Sequence, residues 1–176
     1  MDDTLPPPPS PERTTLLNNR PRNRTGRCVI YWLQNSQRLH DNPALATADA
    51  LAHDLGVPTL LWIALTPRVP NGASRSARFM VEGLRDLTGR ALARGYGVRV
   101  AWACSPADLA RRVAADHPAA VVTDVSHLAR GRSQRAATAA LLDVPLLAVD
   151  GDLVVPVAAV PGPQVAARTF RPRVWQ

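Results

Sequence analysis

Six side chains with amide, guanidinium, carboxylate or hydroxyl groups follow two apolar runs of this chain. They are Gln34, Arg38, Asp41, Asn42, Asp124 and Ser126. Such groups can hydrogen-bond the edge of a planar, polar ligand, so the loop from Gln34 to Asn42 is a candidate wall of a binding pocket. The alternative is structural, because Asn42 can cap a following helix and the charge of Asp41 favours a helix start.

The second loop has the residue types of a hydrolase triad in Asp124, Ser126 and His127. Neighbours in one loop rarely converge to pass a proton, and no strained nucleophile turn surrounds Ser126, so hydrogen bonds to backbone are the preferred interpretation. The histidines have no metal-ligand spacing between them, and no metal site is predicted. A chain without lysine also has no phosphate-binding loop of the lysine type, which disfavours ATP binding.

Five continuous apolar runs predict the elements that position these loops. They span 28–33, 59–65, 98–103, 119–123 and 146–149. Continuous runs are typical of strands buried on both faces of a parallel sheet, and helical patterns lie between them. The alternation predicts an α/β fold, a three-layer Rossmann-like doubly wound sheet of five mostly parallel strands. Ligands of such sheets bind at the carboxyl ends of the strands, where both polar loops fall.

Four helices are predicted between these strands. The first is expected to begin at the cap Asn42 and to end at Gly56, and the second to end at Gly95. The third is expected to begin at the cap Ser105, and the fourth to cover about 133–143. Trp32, Trp62 and Trp102 all fall inside predicted strands and are interpreted as core residues.

The first 26 residues differ in composition from the rest. They combine a run of prolines with arginines and other polar residues, and such a segment buries too little apolar surface to offset its chain entropy. We therefore predict a disordered tail over 1–26. No stretch resembles a signal peptide or approaches the length of a membrane span, so a cytoplasmic protein without membrane contact is expected.

The chain is basic, with a formal net charge of +7. Positive charge attracts nucleic acid through its phosphates, but arginine and alanine richness can equally reflect genome composition. Cys28 and Cys104 lie in or beside predicted strands, and both are expected to be core thiols rather than a disulfide or metal ligands.

The polar loops belong to a longer series of short motifs. In chain order these are Tyr31-Trp32-Leu33-Gln34 with Gln37-Arg38 and Asp41-Asn42, then Val122 to Ser126, Asp150 to Pro156, and Ala167 to Arg173. The series resembles the amino-terminal antenna domain of the DNA photolyase and cryptochrome family, most closely the class II cyclobutane pyrimidine dimer photolyases. It covers about 27–173 and departs at 150–153, where Asp-Gly-Asp-Leu replaces a family pattern with histidine and asparagine.

This resemblance implies an antenna α/β domain over 27–160 and the start of an interdomain linker over 161–176. The helical domain that holds FAD and the DNA lesion in the family does not follow Gln176, so no FAD and no catalytic residue are expected in this chain. It implies a deazaflavin-type antenna chromophore bound by the six polar residues named at the outset.

The resemblance leaves activity open, because the family is a lyase but its catalytic domain is missing here. A truncated or split photolyase without repair activity on its own is expected, working with a separate catalytic chain and contacting DNA weakly or through that partner. The alternatives are a non-photochemical module that binds nucleic acid or protein, and a degenerate remnant.

Overall fold

The computed structural model of the protein describes residues 10–65, 75–103, 105–160, 162–163 and 165–174. The strands along these ranges are β1 (Thr14–Leu16), β2 (Cys28–Leu33), β3 (Thr59–Leu65), β4 (Gly97–Trp102), β5 (Pro118–Asp124) and β6 (Leu146–Val149). The α-helices are α1 (Pro43–Leu55), α2 (Arg75–Ala93), α3 (Pro106–Ala115), α4 (Ala129–Leu141) and α5 (Ala167–Val174). Short 3₁₀ helices lie at Pro11–Arg13 and Val157–Ala159.

The strands form one sheet in the order β1-β6-β5-β2-β3-β4. All neighbours from β6 to β4 are parallel, and β1 is antiparallel to β6. The chain moves outward from β2 to β3 and β4, then returns to place β5 on the other side of β2. The predicted α/β, doubly wound sheet is therefore confirmed, and strand order reverses between β2 and β5.

Alternation along the central strands divides the core between the two faces of the sheet. Val29 and Tyr31 of β2 belong to the cluster that includes buried residues of α1 and α2, and Ile30 and Trp32 to the cluster that includes buried residues of α3 and α4. The two faces are both covered because parallel strands need crossover helices on each side. This explains why the strands read as continuous apolar runs in the sequence.

One of the three tryptophans placed in the core by sequence lies at the surface. Trp32 and Trp62 are buried as predicted, but Trp102 is 58% exposed. Trp102 ends β4, the strand at the open edge of the sheet, so it has a neighbouring strand on one side only. The sequence pattern of β4 resembles that of a central strand, and only the strand order shows that it is an edge.

The predicted start of a helix agrees with the structure where a polar cap is present and differs from it where the cap is absent. Asn42 Oδ1 accepts hydrogen bonds from the backbone N–H groups of Ala44 and Leu45, both at 3.1 Å, and α1 ends at Gly56 with a φ of 67°. Helix α4 begins at Ala129, four residues before the predicted start near 133. Its N-cap, Leu128, makes no side-chain cap hydrogen bond, so the sequence carries no cap signal there.

The prediction of disorder over 1–26 is wrong for the part that the structure describes, from residue 10 onward. Thr14 pairs with Val149, which adds β1 to the edge of β6. The Arg13 guanidinium donates hydrogen bonds to the carbonyls of Leu153 and Val154, both at 2.8 Å. Polar contacts of this kind hold the segment together with the partly buried Leu17, and composition does not reveal them.

Asn18 fastens the same segment to the other end of β6. Its Nδ2 donates to the carbonyls of Ala139 and Val144 at 2.8 and 3.1 Å, and its Oδ1 accepts from the N–H of Leu146 at 3.0 Å. One side chain thus joins the end of α4, the following turn and the first residue of β6.

No helix of the described ranges is long and apolar enough to cross a membrane.

Cys28 is a buried free thiol at the start of β2, 6% exposed, whereas Cys104 lies outside the described residues. Burial, and then the negative charge of Asp116, raise the pKa of Cys28 from 9.0 to about 11, against the opposing charge of Arg99.

Alkaline pH is therefore expected to destabilise the protein through Cys28. The native state favours the neutral thiol, so the stabilisation is complete below pH 9 and is lost as pH rises toward 11, with about 3 kcal/mol at stake in full. Urea unfolding under reducing conditions at pH 8 and pH 10.5 measures this loss, and Cys28→Ala should show a smaller pH dependence than the wild type. Equal pH dependence in both proteins would contradict the assignment.

Candidate functional site

The carboxylate of Asp124, at the end of β5, holds the loop that follows β2. Its Oδ1 accepts hydrogen bonds from the N–H of Gln34 at 2.9 Å and the hydroxyl of Tyr31 at 3.2 Å. Its Oδ2 accepts from the N–H groups of Asn35 and Ser36 at 2.5 and 2.9 Å. Asp124 is 1% exposed, so its carboxylate is surrounded by protein donors and fixes the backbone of this loop across two neighbouring strands.

Asn42 extends the same network toward α1. Besides capping the helix, its side-chain amide donates to the hydroxyl of Tyr31 at 3.0 Å and to the carbonyl of Arg38 at 2.9 Å. Tyr31 is fully buried, and its burial together with the charge of Asp124 raises the pKa of its hydroxyl. The hydroxyl therefore stays protonated and can donate to Asp124 while it accepts from Asn42.

Arg38 ties this loop to the segment after β6. Its guanidinium donates to the carbonyls of Gly151 and Asp41 at 2.8 and 3.1 Å and lies 3.6 Å from the carboxylate of Asp152. Asp152 in turn accepts from the hydroxyl of Ser36 at 2.7 Å. Asp41 has a positive φ of 47° and an exposed side chain, so it serves the turn before α1 through its backbone.

A cavity of about 220 Å³ opens at the carboxyl ends of β2 and β5, beside the first turns of α4. Its polar and aromatic walls are formed by Trp32, Gln34, Asn35, Ser126, Arg130 and Gln134. It lies where the strand order reverses, the place at which sheets of this type bind ligands. Of the six predicted site residues, Gln34 and Ser126 line the cavity, whereas the other four belong to the network behind it.

Two features of the cavity wall point to a ligand. The side-chain oxygen Oε1 of Gln34 is buried and has no hydrogen-bond partner, although buried carbonyl groups are almost always paired. Gly131 lies against Ser126, and a Cβ added to it would be 2.3 Å from the Ser126 Oγ. Gln34 thus carries an unpaired acceptor beside the cavity, and the absence of a side chain at Gly131 lets α4 pack directly on Ser126.

Sequence reasoning missed the contribution of α4 to this wall. Arg130 and Gly131 lie before the predicted start of that helix, in a stretch treated as part of a loop, and Gln134 lies in the predicted helix itself. The rule that ligands bind after the strands included Arg130 and Gly131 but not Gln134, and it singled out none of the three.

A larger groove, of about 490 Å³, lies between the segment after β6 and α5. Its lining side chains are all apolar and include Leu153, Val157 and Phe170. It therefore has no polar side chain to orient a ligand. Among the described residues there is also no cluster of three or more histidine, cysteine, aspartate or glutamate side chains that could hold a metal ion.

Comparison with solved structures identifies chains of similar fold. A protein of unknown function from Pseudomonas aeruginosa superposes with a TM-score of 0.53 at 11% identity, over 79% of this chain and 52% of that one. A universal stress protein from Archaeoglobus fulgidus superposes with a TM-score of 0.49 at 14% identity, over 70% of this chain and 98% of that one. A universal stress protein in complex with cAMP superposes with a TM-score of 0.48 at 15% identity, over 73% of this chain and 100% of that one. The first of these likenesses supports the α/β fold alone.

Comparison with protein families and curated proteins is more specific. The family model of DNA photolyase matches residues 29–175. The deoxyribodipyrimidine photo-lyase of Methanothermobacter thermautotrophicus is 35% identical over 164 residues, which are 93% of this chain and 36% of that protein. The chain thus spans about a third of the length of this relative. With its doubly wound sheet, this match shows that the chain belongs to the DNA photolyase family, of which it holds the amino-terminal α/β domain.

Proposed function

We propose that this domain binds a planar antenna chromophore in the cavity between β2 and β5 and passes its excitation energy to a flavin in a photolyase catalytic domain. The observation that carries the proposal is the unpaired, buried Oε1 of Gln34 in a cavity at the point of strand reversal. Membership of the DNA photolyase family supports it. A deazaflavin is the chromophore type that we propose.

The residues of the cavity fit one edge of such a ring system. After a rotation of the Gln34 side chain toward the cavity, its Oε1 can accept a hydrogen bond from a ring N–H or hydroxyl, and Trp32 provides an aromatic wall. A volume of about 220 Å³ lies below the range of about 300–1,000 Å³ of most small-molecule sites, so only part of the ligand is enclosed. Excitation transfer needs no acid or base from the protein, and these residues serve to fix the position and orientation of the ring.

Repair itself is assigned in this proposal to a catalytic domain that binds FAD and the pyrimidine dimer. A photolyase catalytic domain is accordingly the partner that we propose, with DNA contacted mainly through it. The basic charge of this chain suggests direct nucleic-acid binding as the competing function. Duplex affinity that is measurable at physiological salt and falls steeply with added salt would favour that alternative.

Substitution of Gly131 by alanine is expected to weaken chromophore binding at least about 10-fold, since the new Cβ would displace Ser126 at the cavity wall. An 8-hydroxy-5-deazaflavin titrated into the purified protein, followed by fluorescence anisotropy, measures the affinity. Gly83→Ala on α2 is the matched control, because nothing lies within 4 Å of its added Cβ. A wild-type protein that binds no chromophore at micromolar concentration would overturn the proposed function, and equal affinity of Gly131→Ala would place the site elsewhere.

A further inference from the structure

Strand β4 forms an edge of the sheet, and no strand of the described ranges lies on its outer side. Its pairing with β3 continues without a bulge from Gly97 to Trp102. The strand also contains no proline and no lysine. Proline, lysine and bulges are features by which proteins keep an edge strand from pairing with another chain. The opposite edge, β1, is only three residues long, so β4 is the edge that is most open to a further strand.

Three alternate residues of β4 direct their backbone N–H and C=O groups to the open side. The N–H of Ala103, directly after β4, donates to the carbonyl of Leu65 on β3 at 2.9 Å. The direction of the backbone groups alternates along a strand, so the residues at odd positions of β4 bond to β3 and those at even positions point outward. The outward residues are Val98, Val100 and Trp102.

The same three residues place apolar side chains on one face of the sheet, because side chains at alternate positions share a face. Val98 is half-buried against the core on the side of α1 and α2, whereas Val100 is 52% and Trp102 58% exposed. On the other face, the guanidinium of Arg99 lies 2.5 Å from the carboxylate of Asp116, so this charge is paired within the chain. An apolar edge with outward backbone groups is typical of a site that adds a strand.

This edge is complementary to a second copy of itself. Two copies related by a two-fold axis perpendicular to the sheet pair antiparallel, and residues opposite each other lie on the same face. With the axis at Val100, this residue faces its own copy, and Val98 faces Trp102 of the other chain. All three outward N–H groups of each chain then meet a carbonyl of the other.

Shifted registers satisfy fewer of these groups. An axis at Arg99 would place two guanidinium groups opposite each other, which is unfavourable, and an axis at Ala101 would leave Val98 without a partner in β4. The register at Val100 instead gives valine–tryptophan and valine–valine pairs on one face, and aromatic and β-branched pairs stabilise a sheet. On the other face it places Arg99 opposite Ala101, away from a like charge.

We infer that two copies of this chain associate through β4, by antiparallel pairing about Val100, into a dimer with one continuous sheet. Two-fold pairing is closed, because it covers both β4 edges and leaves only the short β1 edges free. The inference is independent of the proposed chromophore, since the cavity lies between β2 and β5 in the interior of the sheet. The formal net charge of +7 on each copy opposes association, so added salt should strengthen the dimer.

Analytical ultracentrifugation of the full chain tests this inference. Twice the 19.0 kDa mass of one chain is expected at concentrations of about 10–100 µM. Val100→Lys brings two like charges together at the axis and should weaken the association at least about 100-fold. Leu141→Lys is the matched control, because Leu141 is also 52% exposed but lies on α4, and this variant should dimerise like the wild type.

A cysteine at the axis tests the register. The background is Cys104→Ser, in which the buried Cys28 is the one native thiol that remains. Val100→Cys should form an intermolecular disulfide with oxidised glutathione, because the Cα atoms of a hydrogen-bonded antiparallel pair lie about 5.5 Å apart, within the range of disulfides. Ala101→Cys is the control and should not cross-link, since it faces Arg99 of the other chain.

The outcomes either support or overturn the β4 dimer. A wild type that is monomeric at about 300 µM, or a dimer that is equally stable in Val100→Lys, would overturn it. Open-ended polymers would overturn it as well, because they require β4 to pair with a different edge such as β1. Cross-linking of Ala101→Cys in place of Val100→Cys would contradict the register. If Val100→Lys does not fold, the cross-linking of Val100→Cys decides, because cysteine is close to valine in size.

Discussion

Replacement of Asp124 by asparagine is expected to reduce the free energy of unfolding by about 4 kcal/mol. The Asp124 carboxylate accepts three backbone N–H groups and the Tyr31 hydroxyl while 1% exposed. Asparagine keeps one acceptor oxygen and places an NH₂ group where the other oxygen stood. At least one backbone N–H would then face another donor, with no water to replace the lost hydrogen bond.

Urea denaturation at pH 7, followed by circular dichroism, measures this loss. Tyr31→Phe is the control, because it removes one hydrogen bond to Asp124 and keeps the three backbone ones, and it should cost about 1 kcal/mol. A loss below 1 kcal/mol in Asp124→Asn would show that the loop amides find other acceptors. The same variant should also weaken chromophore binding, since Asp124 fixes the backbone of Gln34.

Replacement of Gly26 by alanine is expected to cost about 3 kcal/mol of stability. A Cβ at this position would lie 2.3 Å from the backbone nitrogen of Ala119 and 2.4 Å from its Cα. Ala119 belongs to the fully buried strand β5, so the obstacle is backbone in the middle of the sheet and no side chain can rotate away. The chain that leads into β2 must therefore move, and the hydrogen bond from Arg27 N–H to the His117 carbonyl at 2.7 Å would be strained.

Gly89→Ala is the matched control for this effect. Gly89 lies in α2 with nothing within 4 Å of an added Cβ, so the exchange should stabilise the protein by about 0.5–1 kcal/mol through helix propensity. Opposite signs for the two glycine substitutions are expected in thermal and urea unfolding. A free energy of unfolding of Gly26→Ala within 0.5 kcal/mol of the wild-type value would mean that the segment before β2 shifts without loss of stability.

The scaffold was predictable because its signals are local. Buried strands of a parallel sheet give continuous apolar runs, and caps such as Asn42 and Ser105 mark helix starts by their own chemistry. The features that the sequence did not reveal depend on contacts between residues that are far apart in the chain. Trp102 is exposed because β4 is the edge strand of the sheet. The segment of β1 is held in place by hydrogen bonds to residues after β6.

The candidate site was predictable only in location. The rule for strand ends selected Gln34 and Ser126, which line one cavity, but it grouped them with Asp124 and Arg38, whose partners are protein groups. Nothing in a sequence tells a carboxylate that fixes a loop from one that meets a ligand.

The pairing of β1 with β6 sets an order of events during synthesis. Thr14 to Leu16 leave the ribosome early, yet their partners, from Leu147 to Val149, are made more than a hundred residues later. At about 5–20 residues per second, that interval is on the order of ten seconds. The sheet from β2 to β5 can form during this time, whereas the residues that Arg13 and Asn18 bind have not yet been synthesised. A segment translated before the rest of the sheet is therefore among the last parts of the sheet to take its place.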